Sequence, residues 1–233
     1  VREHESQPDP GSVHLWFATL NALRPRLDKY IELLDPVEQE RAHRFRFVHD
    51  RERFVLGHGM MRELLGRYLQ RDAASLRFAR GPHGKPYLEH AHVHFNFSDT
   101  KDAILMGIRV GHALGVDIET LARDVDHEAV STHYFTHQEI EAIRGAGSDA
   151  KQRFLEFWTR KEAVLKASGV GIMEDLRVLR VDAPHNVMSI SHETFKEMAA
   201  FEYHLRSWRT GTGHIFSLAT ADPVREVALY SYA

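Results

Sequence analysis

No cysteine occurs among the 233 residues, which excludes disulfides, thiolate metal sites and a thiol nucleophile, and fits a reducing compartment. Charge of one sign is also missing. Thirty Lys and Arg face thirty-three Asp and Glu, a formal net charge of -3, so no global basic field argues for a nucleic-acid partner. No apolar run approaches the roughly 18 residues that a membrane span needs. The opening VREHESQPDPGS is polar and carries no apolar stretch of the signal-peptide kind. These absences predict a soluble cytoplasmic protein that uses neither nucleic acid nor membrane, and the start at Val1, without a methionine, leaves room for residues upstream. What the chain does have is 43% hydrophobic content, enough to bury a substantial core either as one large domain or as two small lobes.

Two stretches put charge where apolar surface is expected. In FWTRKEAVLKASGVGI, from Phe157 to Ile172, helical spacing gathers Phe154, Phe157, Trp158, Val164 and Leu165 into one arc. Lys161 falls inside that arc and Glu162 on its flank, with Lys166 one turn further on the same side. A charge desolvated against aromatic rings costs several kcal/mol unless it meets a counter-charge, a metal or a ligand. The plainer account is a solvated Glu162–Lys166 pair worth about 0.2–0.5 kcal/mol. In LGVDIE, from Leu114 to Glu119, alternation sends Val116 and Ile118 to one strand face and Asp117 and Glu119 to the other. A half-exposed strand with a polar face would look the same. If the helix brings Glu162 to the same point, three carboxylates make an oxygen-only site suited to Mg²⁺.

GVDIE at Gly115 to Glu119 and FWTRKEAVLK at Phe157 to Lys166 together resemble the signature of the 4′-phosphopantetheinyl transferases. The likeness is to the long, monomeric type that activates peptide and polyketide synthases. Two further motifs precede these in the expected order: GKP at Gly84 to Pro86, and FNFSD at Phe95 to Asp99, where the family usually ends in histidine. The motifs run from about Arg53 to Ile172. The resemblance implies an α+β fold of two pseudo-duplicated lobes, each with helices on a small antiparallel sheet and the active site in the cleft between them. The lobes would span residues 1–110 and 111–233. It also implies that Arg53, before Leu56-Gly57, contacts the phosphate end of coenzyme A and that Lys85, beside Pro86, approaches the nucleotide end. Spacing alone reads Lys85 as solvated and leaves Arg53 open between a solvated helix arginine and a contact.

Taken in order, Val13 to Leu20 reads as a strand, and Asp35-Pro36 with Glu38 caps a helix running to about Phe47. A helical stripe follows from Asp50 to Leu69. Leu76 to Leu88 reads as a hairpin turning at Gly81 to Gly84. His90, His92 and His94 alternate toward Phe95 as a zinc site would require, although surface histidines alternate too. Ala103 to Ile108 is a strand, and the hairpin through Arg109 to His112 is the expected hinge. Helices are predicted at Glu128 to Tyr134, at Thr136 to Arg144 behind a Thr136/Glu139 capping box, and from about Asp149 to Ala167. Leu176 to Val181, Phe201 to Trp208, His214 to Ala221 and Val227 to Tyr232 are expected to form a meander.

The function this resemblance implies is Mg²⁺-dependent transfer of 4′-phosphopantetheine from coenzyme A to a serine of an apo carrier protein, releasing adenosine 3′,5′-bisphosphate. Asp117, Glu119 and Glu162 would hold the metal, Glu162 would take the serine proton, and Lys166 would neutralise the leaving group. Ser98 and Asp99 would face coenzyme A. Asp99 accepts but does not donate, so it is expected to turn away and cap the local turn, leaving Ser98, Thr100 or Lys101 as donors to the 3′-phosphate. The carrier is expected on Leu121 to Phe135, through Val125, Val130, Tyr134 and Phe135. Two rivals remain: a zinc hydrolase on His90, His92 and His94, and a non-catalytic binder of coenzyme A or carriers.

Overall fold

The computed structural model of the chain describes residues 8–81, 83–171, 175–182, 187–189 and 200–232. Pro82 of the expected turn and Ile172 at the end of the charged stretch lie outside them. The first half runs β1 (Ser12–Thr19), α1 (Leu20–Leu23), α2 (Leu27–Leu33), α3 (Pro36–His43) and α4 (Val48–Leu69). Then come β2 (Phe78–Arg80), β3 (Pro86–Leu88), β4 (Val93–Asp99) and β5 (Ala103–Val110). The second half runs β6 (Leu114–Thr120), α5 (His127–Tyr134), α6 (His137–Arg144), α7 (Ala150–Ser168), β7 (Val187–Ser189), β8 (Glu202–Arg209), β9 (His214–Thr220) and β10 (Glu226–Ser231). The architecture is α+β, built on two four-stranded sheets ordered β10-β1-β5-β4 and β6-β9-β8-β7.

Local chemistry sets the helix starts. At α3 the Glu38 amide donates to Asp35 Oδ1 at 2.9 Å and the Asp35 amide to Glu38 Oε2 at 3.1 Å, the reciprocal capping box expected from sequence. The same two carboxylates accept from the fully buried Arg62 of α4, each at 2.7 Å, so the cap also ties α3 to α4. Thr136 and Glu139 form the equivalent box at α6. The apolar stripe of α4, with Phe54, Met61, Leu65 and Tyr68, is buried against the first sheet.

The helix α7 lies on β6 and β9, and Gly115 explains how closely. A Cβ at Gly115 would overlap the Ala163 carbonyl oxygen and the Ala167 nitrogen, so only glycine lets the helix backbone settle on β6. α7 ends at Gly169 in a left-handed conformation, φ +73°. The inner faces of the two sheets share a core of Val13, Leu15, Leu105, Val116, Ile118 and Leu218.

Two expectations about the second half are corrected. Leu176–Val178 is a 3-10 turn, because Lys161 claims the carbonyls of Leu176 and Leu179. The strand expected at Val227 to Tyr232 leaves the meander: β10 pairs in parallel with β1, from Ser12 beside Glu226 to Phe17 beside Ser231. The first sheet is therefore built from both sides of residue 110. Tyr232 follows β10 into the first core, where its hydroxyl and that of Tyr30 donate to Glu63 Oε2 at 2.6 and 2.8 Å.

Candidate active site

Alternation along β6 places Asp117 and Glu119 on the face opposite Val116 and Ile118, which are fully or almost fully buried in the shared core. The 3.6-residue period of α7 then brings Glu162 and Lys166 to that polar face. Lys166 Nζ donates to Asp117 Oδ1 at 2.6 Å and to Ser98 Oγ at 2.8 Å, and Ser98 Oγ donates to Asp117 Oδ1 at 2.8 Å. Residues from β4, β6 and α7 thus meet in one hydrogen-bonded triangle. Glu119 is paired with Arg123 in the turn after β6.

The carboxylates feel one another. Burial pushes the Glu119 carboxyl up to about 7, against the pull of Arg123, and the neighbouring charge of Asp117 raises it further. Glu162 is raised for the same two reasons, burial first and Asp117 second. A cluster of oxygen donors whose ionisation is resisted by mutual repulsion fits a hard divalent cation. Among the described residues no three His, Cys, Asp or Glu side chains stand together as a finished cage; Asp117 is paired with Lys166 and Glu119 with Arg123.

A cleft of about 590 Å³ opens on this cluster, walled by Lys85, Pro86, Phe97, Glu162, Leu165 and Lys166, with His83 and Gly171 also in its lining. Past Pro86 and Phe97, which line both, lies a second hollow of about 360 Å³ with Arg41, Arg53, Arg80 and His58 in its wall. Arg53, Lys85, Pro86, Asp99 and Lys166 border one of these two spaces and Ser98 belongs to the triangle beside them, whereas Thr100 and Lys101 line neither hollow.

The expectations for Asp99, Phe135 and the zinc strand are corrected, and Ser98, Lys85 and Lys161 are given their partners. Asp99 does not cap its own turn: its Oδ2 accepts from Arg53 Nε at 2.9 Å, and Arg53 also meets Asp50 at 3.2 Å, because α4 passes directly beside the end of β4. Ser98 is engaged with Asp117 and Lys166. Lys85 Nζ donates to the Leu114 and Lys166 carbonyls at 3.1 and 2.5 Å, and burial with the nearby charge of Lys166 depresses it to about 8. Lys161 is a structural ion pair: fully buried, it donates to Glu139 Oε2 at 3.0 Å and to two carbonyls of the 3-10 turn, while Glu139 Oε1 accepts from the Val181 amide. Phe135 is 2% exposed, packed on Phe154 and Phe157, so it is removed from the surface expected to meet a carrier. The zinc reading loses its strand, since His90 lies in a turn with φ +59° and β4 begins only at Val93.

Three residues escaped sequence reasoning. Asn96, buried beneath the cleft, accepts the Val116 amide at 2.8 Å and so pins β4 to β6. Gly115 sets the helix height, and its position in a strand pattern was the available signal. Arg123 had none, being one arginine in a polar loop.

Two family models match the chain: the 4′-phosphopantetheinyl transferase superfamily over residues 113–219, and the 4′-phosphopantetheinyl transferase N-terminal model over residues 19–107. Among similar proteins, the 4′-phosphopantetheinyl transferase HetI of Nostoc is 33% identical over 71% of this chain and 73% of its own length. A putative 4′-phosphopantetheinyl transferase of Synechocystis is 31% identical, with 64% of this chain and 62% of its own covered. The 4′-phosphopantetheinyl transferase Sfp of Bacillus subtilis is 24% identical, with 62% and 64% covered, so the match spans less than two thirds of these last two. The matched stretches contain the β6 carboxylates, the α7 pair and the walls of both hollows. On these grounds the chain belongs to the 4′-phosphopantetheinyl transferase superfamily of enzymes.

Proposed function

We propose that the chain transfers 4′-phosphopantetheine from coenzyme A to a serine hydroxyl of an apo carrier protein, with Mg²⁺ as the metal. The observation that carries this reading is the meeting of Asp117 from β6 with Glu162 and Lys166 from α7 at the wall of a cleft large enough for an extended substrate. Asp117, Glu119 and Glu162 are the residues that would hold Mg²⁺, whose contribution is to neutralise pyrophosphate charge as the transfer proceeds. Glu162, its carboxyl raised by burial and by Asp117, takes the proton of the attacking serine. The serine oxygen bonds to the phosphorus that carries pantetheine, the pyrophosphate bridge on its far side breaks, and adenosine 3′,5′-bisphosphate leaves. Lys166 stabilises the charge that develops on that leaving phosphate. Lys85 fixes the backbone of Lys166 and so aims it. The hollow with Arg41, Arg53 and Arg80 offers cations to the 3′-phosphate end, partly neutralised by Asp50 and Asp99. Leu121, Val125, Val130 and Tyr134, half-buried on the second core in the segment that follows Glu119, form the carrier contact. The enzyme works as a cytoplasmic monomer.

Weighing apo carrier proteins after incubation with the protein, coenzyme A and Mg²⁺ tests the reading directly. Glu162→Gln should lower the transfer rate by at least about 100-fold, the usual scale for removing a general base. Its circular dichroism should remain unchanged. Near-normal turnover in the folded variant would refute the assignment.

A further inference from the structure

Arg123 stands in the turn after β6, where its backbone amide donates to the Thr120 carbonyl at 3.0 Å. Its guanidinium holds Glu119 and lies 5.5 Å from the ring centre of Trp158 on α7. Trp158 in turn meets Tyr134 of α5 edge to face, ring centres 5.7 Å apart. The charge of Arg123 acts on Glu162 as well as on Glu119, while Lys166 serves Asp117. The carboxylate cluster is therefore balanced by two side-chain cations. They are not equivalent. Lys166 is fixed on a helix whose backbone is itself tied down by Lys85, whereas Arg123 sits on a turn with 36% of its side chain exposed.

We propose that Arg123 is an internal counter-ion that occupies Glu119 in place of the divalent cation and must release it when the cation enters. Two like charges do not share one carboxylate at close range without cost, so arginine and metal compete for Glu119. Release leaves the guanidinium on the Trp158 face, where a cation is still attracted to the ring. Because Trp158 packs against Tyr134, the exchange bears on the contact between α7 and α5, the helix read above as the carrier-binding side. Arg123 is a positioning residue. The inference rests on the reading that Asp117, Glu119 and Glu162 take a divalent cation, and it adds what holds them before the cation arrives.

The test is Mn²⁺ binding to the protein without coenzyme A, followed by paramagnetic resonance of the free ion, in the unmodified protein and in Arg123→Gln, Arg123→Lys and Glu162→Gln. Competition predicts that Arg123→Gln binds Mn²⁺ at least about fivefold more tightly, the lower end of ordinary coupling between sites. Arg123→Lys, which keeps the charge, should stay near the unmodified protein. Diamagnetic Mg²⁺, which does not itself quench indole, should also change the fluorescence of the unmodified protein, an effect absent in Trp158→Phe and smaller in Arg123→Gln. A purely structural arginine would leave the affinity unchanged or weaken it in a folded Arg123→Gln protein, and that result overturns the proposal. Mn²⁺ uptake that Glu162→Gln abolishes but Arg123→Gln does not strengthen overturns the proposal alone. No saturable uptake in the unmodified protein or in Arg123→Gln overturns the carboxylate reading with it.

Discussion

His58 lies in the wall of the arginine-lined hollow with only 8% of its surface exposed, its Nδ1 donating to the Phe54 carbonyl at 3.1 Å and its ring against Phe54 and Phe97. Burial holds it neutral and depresses it from 6.5 to about 4, with Arg41, Arg80 and Arg62 adding repulsion. The unfolded chain therefore binds the extra proton first, so stability contributed by neutral His58 is full above pH 6.5 and is lost as pH falls toward 4. The two and a half pH units between these values correspond to about 3 kcal/mol. Urea unfolding at a series of pH values should show His58→Gln losing less stability than the unmodified protein between pH 6.5 and 4, and parallel curves would contradict this. At the same scale, strand alternation placed Asp117 and Glu119 on one face and helical period placed Glu162 and Lys166 on one side, while their expected roles came from the family resemblance. Arg123 and Asn96 break no pattern. Their roles exist only where β4, β6 and α7 converge, which spacing along one element does not encode.

At the scale of elements, the contact between α7 and β6 decides whether the four site residues meet at all. Gly115→Ala should push the helix outward, since its Cβ has no flexible side chain to displace, only the backbone around Ala163 and Ala167. Overpacking of this kind costs about 1–3 kcal/mol or more. Transfer activity should fall by more than the loss of folded protein explains, because Glu162 and Lys166 move with the helix. Equal activity per folded molecule, measured after correcting for the folded fraction, would show that the site tolerates the shift. The elements themselves were largely readable: both capping boxes, the strand carrying Asp117 and the helix carrying Glu162 follow from local chemistry. The 3-10 turn at Leu176–Val178 was not, since its apolar alternation resembles a strand and the buried ammonium of Lys161, which shapes it, arrives from another element.

For the whole molecule, β10 is the element whose partner the sequence hid. Its alternation identifies a strand, but nothing in alternation says which sheet edge receives it. By crossing from the second half to β1 and carrying Tyr232 to Glu63, it makes the two sheets one cooperative body. Unfolding followed by probes in both halves should therefore coincide, and Tyr232→Phe should lower the common transition by about 1–3 kcal/mol, the cost of a lost partner for a buried carboxylate. Separate transitions for the two halves would be contrary to this. The pairing also imposes a timetable on a nascent chain. Ser12 is made long before its partner Glu226, and at roughly 5–20 residues per second the free edge of β1 waits on the order of ten seconds or more for its neighbour. During that interval an open strand edge is offered to other chains, so the protein should gain more than most of its size from a chaperone that shields the edge during translation.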